Sequence, residues 1–176
     1  MRILEASTAQ LDHMVAVERA AFGGEAEAQL VRELLADPSA RPWLSLLAWA
    51  EDRPVGHILF TAARVPDAGR PVSAAILAPL AVVPDAQGRG IGGRLIERGA
   101  ELLSGSGVGL VCVFGDPRYY ARFGFTAATP HRLALPFPVS PEEAWMVRAF
   151  GPGLLGAVHG TVVSADALNR PELWQA

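Results

Sequence analysis

The chain has 176 residues and a formal net charge of −3 at pH 7, with 51% hydrophobic and 19% charged residues. This length and composition predict a soluble globular protein with one domain over residues 1–176. The acidic balance and the lack of a basic run argue against a nucleic-acid partner. All 15 basic residues are arginines, so neither a lysine-dependent phosphate loop nor Schiff-base chemistry is available.

The number of cysteines and the length of the apolar segments indicate the cellular compartment of the protein. The one cysteine, Cys112, excludes an internal disulfide and fits a reducing cytoplasm. Because it lies inside an apolar segment, we expect a core residue rather than a nucleophile. The N-terminal MRILEASTAQLDHM lacks a signal-peptide pattern, and the longest apolar run, AAILAPLAVVP, is too short to span a bilayer. We therefore expect a cytoplasmic protein with no membrane partner.

The first half of the chain is predicted to form two helices and three strands. Thr8 can cap the first helix, and the pair Asp37-Pro38 ends the second. The turn-like EDRP between two apolar segments indicates an antiparallel hairpin. The predicted elements are helices over 8–22 and 25–37 and strands over 43–50, 54–65 and 72–82.

The second half begins where an apolar run meets the stretch QGRGIG, residues 87–92. A helix is predicted to follow to about Leu103, and LVCVF is typical of a strand buried on both faces. PRYYARF indicates a short helix closed by Gly124, and strand-like pieces follow in HRLALPF, AWMVRAF and HGTVV. This order of elements predicts a mixed α/β fold around one central sheet.

The stretch QGRGIG indicates a phosphate site. Glycines let backbone N–H groups approach a ligand closely, and a helix N-terminus attracts negative charge. The letters also match the dinucleotide fingerprint GxGxxG through Gly88, Gly90 and Gly93. The position argues against that interpretation, because two helices and a hairpin precede the loop and no acid follows the next strand where a ribose ligand would stand.

Two motifs, in order, resemble the GCN5-related N-acetyltransferase (GNAT) family. LAVVPDAQGRGIGGRLI is similar to the motif Q/R-x-x-G-x-G/A of that family through Gln87, Gly90 and Gly92, and YARFGF, residues 120–125, resembles its Tyr-x-x-x-Gly-Phe. The segment from AWMVRAF to HGTVV is similar to the tail of a bacterial subgroup of small acetyltransferases of mostly unassigned substrate. The resemblance implies a mixed, mostly antiparallel central sheet, splayed between the fourth and fifth strands and flanked by helices.

The resemblance further implies acetyl-CoA as cosubstrate. Its pantetheine arm would pair with the strand positions Leu80, Ala81 and Val82. Pro79 independently favours a splayed strand, because a proline removes a donor from the ladder. The pyrophosphate would lie on the backbone N–H groups of Gly88, Arg89, Gly90, Ile91, Gly92 and Gly93.

Tyr120 matches the usual general acid of the family, which protonates the leaving thiolate or donates a hydrogen bond to it. The neighbouring Tyr119 would face elsewhere on a helix. Many relatives carry an asparagine before this helix; here Asp116 occupies the junction, and we do not assign it as a ligand.

The general base stays open among Glu25, Glu27, His57, His131 and a water chain. The four histidines lack metal-ligand spacing, so no metal is expected.

The resulting hypothesis is an N-acetyltransferase that moves an acetyl group from acetyl-CoA to a primary amine by direct transfer in a ternary complex. The acceptor stays open between a small-molecule amine and a peptide, and a homodimer is compatible with the sequence. One alternative is a non-catalytic acyl-CoA-binding or regulatory module on the same fold. Another is a dinucleotide-binding oxidoreductase. We expect the first two helices, the loop VPDAGRP and the C-terminal strands to select the acceptor.

Overall fold

A central sheet of seven strands, in the order β1-β2-β3-β4-β5-β8-β6, runs through the computed structural model, which describes residues 1–176. A separate two-stranded sheet pairs β7 with β9. The strands are β1 (Arg2–Glu5), β2 (Leu44–Ala50), β3 (Arg53–Ala63), β4 (Ala74–Val82), β5 (Leu110–Phe114), β6 (Thr126–Ala127), β7 (Leu133–Ala134), β8 (Trp145–Ala149) and β9 (Gly160–Thr161). The helices are α1 (Leu11–Phe22), α2 (Ala26–Ala36), α3 (Ile91–Gly105) and α4 (Pro117–Tyr120).

The central sheet is antiparallel except between β4 and β5. These two strands pair in parallel only where Ala74–Ile76 meets Leu110–Cys112. Beyond Ile76, β4 continues to Val82 with β3 as its one strand partner. The sheet is therefore splayed between its fourth and fifth strands, which confirms the predicted fold class.

Helices cover both faces of the sheet. On β3, Gly56 faces Ile91 and Leu95 of α3, whereas the next residue, His57, bonds to Glu18 of α1. Because successive strand residues point to opposite faces, α1 and α3 lie on opposite sides of the sheet. The chain thus brings the N-terminus of α3 to one face and the α1–α2 connection to the other.

The buried core agrees with the patterns in the sequence. Cys112 of β5 is fully buried, and burial raises the pKa of its thiol to about 12. It is a core residue, as predicted. None of the helices combines the length and apolar character that a membrane span would need.

Two local predictions were wrong. The strand β1 was not predicted, because it has only four residues and most of them are exposed at the sheet edge, so no alternating pattern marks it. The first helical cap is Ser7 rather than Thr8. Ser7 accepts a hydrogen bond from the Ala9 N–H and forms a capping box with Gln10, which starts a short 3₁₀ turn before α1 begins at Leu11.

Candidate functional site

The loop between β4 and α3 exposes backbone at the helix N-terminus. Gly88 and Gly90 have left-handed φ angles of 75° and 78°, and no atom lies within 4 Å of where a Cβ would stand on either residue. Gly90 is the N-cap of α3, and no side chain caps the helix. The first N–H groups of α3 therefore keep their capacity to bind an acceptor from outside the helix.

Two contacts fix this loop to the sheet. The Gln87 side-chain amide donates to the Val82 carbonyl oxygen at 2.9 Å. Two residues before Gln87, the Asp85 carboxylate accepts two hydrogen bonds from the Arg53 guanidinium, at 2.9 and 2.6 Å. Gln87, one of the motif residues, thus supports the loop from the strand and leaves the glycine backbone facing outward.

The loop forms one wall of a cavity of about 740 Å³, which we call the loop cavity. Arg94 and Arg122 line it, and neither takes part in an ion pair. The lining carboxylate, Glu97, is paired with Arg148 at 2.9 Å. Unpaired arginines beside open helix N–H groups give this cavity the positive charge and the donors that an anion would need.

Gly92 and Gly93 have a second role in packing. A Cβ on Gly92 would overlap the Tyr119 hydroxyl, and a Cβ on Gly93 would lie 2.6 Å from Cε1 of Phe123. The Arg122 guanidinium lies 4.9 Å from the centre of the Tyr119 ring, a cation–π geometry. The two glycines therefore let the segment after β5 close against the start of α3, and they place the Tyr119 hydroxyl in the loop cavity.

A second cavity, of about 420 Å³, lies beyond the splay, and we call it the inner cavity. Its walls come from the end of α1 and the start of α2, from both sides of the splay, and from the C-terminal segment. The lining residues are Phe22, Glu27, Leu30, Leu77, Ala78, Pro79, Leu80, Val113, Phe114, Gly115, Asp116, Tyr120, Leu168, Leu173 and Trp174.

Tyr120 lines the inner cavity, whereas Tyr119 lines the loop cavity. The Tyr120 ring packs edge to face on Phe125, with ring centres 5.6 Å apart. Gly115 also leaves room for the ring, because a Cβ there would overlap Cε2 of Tyr120. Burial, and to a lesser extent Tyr119, raises the pKa of Tyr120, so its phenol stays protonated at neutral pH.

The strand positions predicted to contact pantetheine connect the two cavities. Leu80 lines the inner cavity and Val82 lines the loop cavity. Ala81, between them, is buried and lies opposite His57 of β3. All three positions lie on the part of β4 that has no β5 partner.

The candidate general bases lie in different parts of the structure. Glu27 lines the inner cavity together with Tyr120. Glu25 forms an exposed ion pair with Arg19, and His131 lies 3.5 Å from the Thr126 hydroxyl outside both cavities. Glu27 is therefore the one candidate among the predicted residues that shares a cavity with the tyrosine.

His57 belongs to a buried polar chain that was not predicted. Its Nδ1 lies 2.7 Å from Oε1 of Glu18, and its Nε2 lies 2.9 Å from the Ser45 hydroxyl. All three side chains are buried, and the other Glu18 oxygen has no hydrogen-bond partner. Burial raises the pKa of Glu18, against the opposing effect of His57. A glutamate within the apolar spacing of α1 was the signal available in the sequence.

The C-terminal wall of the inner cavity was also not predicted. Trp174 donates its indole N–H to the Leu168 carbonyl at 2.9 Å. The segment before it is fastened to the end of α2, because Asp37 accepts from the Ala167 N–H at 3.0 Å and Arg170 pairs with Glu33 at 3.2 Å. No local pattern in the sequence predicts that Trp174 lines the same cavity as Tyr120.

Two further predictions concern acidic and metal-binding groups. Asp116 caps α4 by accepting from the Arg118 N–H at 2.9 Å, a structural role that accounts for its position at the junction. No group of three or more histidine, cysteine, aspartate and glutamate residues is arranged to hold a metal ion.

A splayed sheet with an open glycine loop at a helix N-terminus defines the class of acetyltransferases to which the sequence motifs pointed. The family model described as an acetyltransferase (GNAT) domain matches residues 2–128. The chain belongs to the GNAT family of acetyltransferases. The dinucleotide-binding alternative is wrong, because the chain has this family's sequence and a mostly antiparallel sheet.

Individual relatives agree with this assignment. The Escherichia coli strain K12 protein named "Uncharacterized N-acetyltransferase YjhQ" is 47% identical over 137 residues, which cover 76% of this chain and 75% of that protein. The E. coli GNAT family N-acetyltransferase YhbS, solved with CoA, is 30% identical with a TM-score of 0.86, over 96% of this chain and 92% of YhbS. A Brucella melitensis GNAT acetyltransferase solved with acetyl-CoA is 30% identical with a TM-score of 0.74, over 94% of this chain and 96% of that one.

Proposed function

We propose that residues 1–176 form a single acetyltransferase domain that moves an acetyl group from acetyl-CoA to a primary amine by direct transfer in a ternary complex. The observation that carries this proposal is the splay of β4 from β5, which joins an anion-binding cavity to an inner cavity lined by a protonated tyrosine. The CoA bound to YhbS and the acetyl-CoA bound to the Brucella relative support it.

The loop cavity fits the phosphates of acetyl-CoA. Gly88 and Gly90 leave open space where any side chain would stand, so phosphate oxygens can reach the backbone N–H groups between Gly88 and Gly93. Arg94 and Arg122 supply positive charge at the same cavity. The Tyr119 hydroxyl, placed there by Gly92, adds a donor.

The unpaired part of β4 fits the pantetheine arm. Its amides can bond to the backbone of Leu80, Ala81 and Val82 as an added strand would. Because Leu80 lines the inner cavity and Val82 the loop cavity, an arm along these residues leads from the phosphates toward Tyr120.

The reaction needs a proton donor for the leaving sulfur and an acceptor for the protons of the amine nitrogen. The amine nitrogen forms a bond to the acetyl carbonyl carbon, and the carbon–sulfur bond then breaks with its electron pair going to sulfur. Tyr120 donates its proton to that sulfur and is afterwards reprotonated from solvent. Burial raises the pKa of Tyr120, so the phenol carries at neutral pH the proton that it would donate.

The acceptor nitrogen must lose one proton before it can attack, since primary amines are protonated at neutral pH, and it loses a second proton once the carbon–nitrogen bond has formed. We assign the acceptance of the first of these protons to Glu27, directly or through a water molecule. Glu27 lines the same cavity as Tyr120 and is in none of the ion pairs of the chain. The net products are an acetamide, CoA thiol and one proton.

An amine screen with detection of released thiol tests this function. Acetyl-CoA is incubated with the protein and a set of small amines and short peptides, and CoA binding is measured separately by calorimetry. We expect CoA to bind and at least one amine to release thiol above the rate without protein. Binding of CoA with no turnover across the whole set would favour the alternative of a non-catalytic acyl-CoA-binding module.

A further inference from the structure

The charged side chains that line the inner cavity are all acidic. Its lining includes the carboxylates of Glu27 and Asp116 and no arginine or histidine. Asp116 is occupied as the cap of α4 and has a side chain that is 58% exposed. Glu27 is half-buried among apolar neighbours and has no basic partner within the chain. A carboxylate in such surroundings selects a cation.

The rest of the cavity is apolar and aromatic. Four lining residues are aromatic: Phe22, Phe114, Tyr120 and Trp174. The indole N–H of Trp174 is already used within the chain. An acceptor with many hydroxyl or amino groups would lose its hydrogen bonds to water here and regain few, which costs binding energy for each unpaired group.

The volume of the inner cavity and the positions of its walls further restrict which acceptors can bind. The cavity has about 420 Å³, and the end of the acyl donor must share it. The fastened C-terminal segment forms one wall through Leu168, Leu173 and Trp174. Phe22, in contrast, is 48% exposed at the end of α1, so its ring is available at the entrance rather than committed to the core.

We infer that the acceptor is a compact hydrophobic primary amine, held with its ammonium group at Glu27 and its apolar body against Phe22, Leu30 and Trp174. This inference rests on the proposed function and names the substrate class of the same site. Aromatic rings and one carboxylate without a partner in the chain, that of Glu27, together suit an aryl-alkyl amine, because ring faces attract both the apolar body and the cation.

The first test compares acceptors of different chemistry. Thiol release is measured with 2-phenylethylamine, spermidine, kanamycin and a tetrapeptide with a free N-terminus. We expect kcat/KM for 2-phenylethylamine to exceed the others by at least roughly tenfold. A preference for spermidine, kanamycin or the peptide would overturn the inference and leave the acetyltransferase proposal intact, whereas turnover of none of the four would count against both.

The second test assigns the recognition to named residues. Glu27→Gln should raise KM for 2-phenylethylamine by roughly ten- to a hundredfold, because the ammonium group loses its counter-charge. The matched control is Glu101→Gln, which removes an exposed carboxylate from α3 that is paired with Arg98 outside both cavities. Equal KM values for Glu27→Gln and the wild-type protein would overturn the assignment.

A third measurement does not depend on turnover. Calorimetric binding of 2-phenylethylamine is measured in the presence of saturating CoA, which forms a dead-end complex. We expect Phe22→Ala to weaken this binding by roughly three- to tenfold, while the melting temperature stays close to wild type because the residue is only about half buried. Unchanged amine affinity in Phe22→Ala would contradict the proposed position of the apolar body.

Discussion

The rings of Tyr119 and Tyr120 meet edge to face with their centres 5.0 Å apart, yet they line different cavities. Tyr119 points its hydroxyl at Gly92 of the loop cavity, and Tyr120 fills the space left by Gly115 in the inner cavity. Neighbouring positions in α4 therefore serve the two ends of one proposed binding path. Because the two tyrosines line different cavities, replacing each one separately tests the proposed mechanism directly.

Tyr120→Phe should lower kcat by roughly ten- to a thousandfold, because the leaving sulfur loses its proton donor. Tyr119→Phe should act mainly on the donor, raising the dissociation constant for CoA by several-fold through the loss of one hydrogen bond. Steady-state kinetics with a defined amine and calorimetry with CoA measure the two effects. A larger loss of kcat in Tyr119→Phe than in Tyr120→Phe would reverse the assigned roles.

Gly90→Val should weaken CoA binding by tenfold or more, because its side chain would occupy the open space beside the helix N–H groups. Gly107→Val is the matched control. Gly107 also has a left-handed φ, of 94°, and no atom lies within 4 Å of its Cβ position. It follows the C-terminal end of α3, whereas Gly90 precedes the N-terminal end. Both variants should lose roughly 1–2 kcal/mol of stability from backbone strain. Only Gly90→Val should lose CoA affinity, and equal losses in the two variants would remove the loop from phosphate binding.

Gly115→Ala should lower kcat while CoA still binds, because the added methyl group displaces the Tyr120 ring rather than the loop. The Cβ would lie 3.0 Å from Cδ2 and 3.4 Å from Cζ of that ring. Gly105→Ala near the end of α3, where no atom lies within 4 Å, serves as the control and should leave kcat at the wild-type value. If Gly115→Ala kept full kcat, the position of the Tyr120 ring would not matter for the reaction.

Glu18 links stability to pH. Its pKa is raised mainly by burial, so the folded protein holds this proton more tightly than the unfolded chain does. The resulting stabilisation is full below the ordinary glutamate pKa of about 4.5 and is lost as the pH rises through the folded pKa. Glu18→Gln keeps a polar group beside His57 but cannot ionise.

We therefore expect Glu18→Gln to become more stable relative to the wild-type protein as the pH rises from 4.5 to 8. Urea unfolding of both proteins across this range measures the difference and cancels the titration of groups that do not contact Glu18. The opposite trend would mean that Glu18 is ionised and paired with a protonated His57 in the folded protein.

Several parts of this protein follow from local sequence alone. The hairpin of β2 and β3, the end of α2 before Pro38, and the strand LVCVF follow from turn residues and apolar runs, which act over a few positions. The glycine loop at the start of α3 follows in the same way, because positive φ angles and an open helix end require glycine. These features, with the two motifs, were enough to indicate the family.

Only the tertiary structure decided which side chains share a cavity. Glu27, Tyr120 and Trp174 come from distant parts of the chain and meet because the C-terminal segment is tied to α2 through Asp37 and Ala167. The burial of Glu18 with His57 likewise depends on α1 lying over β3. No local pattern encodes such contacts, because they depend on how whole elements pack. The sequence determined the open glycine loop at the start of α3, and the packing of distant segments decided which side chains line the inner cavity.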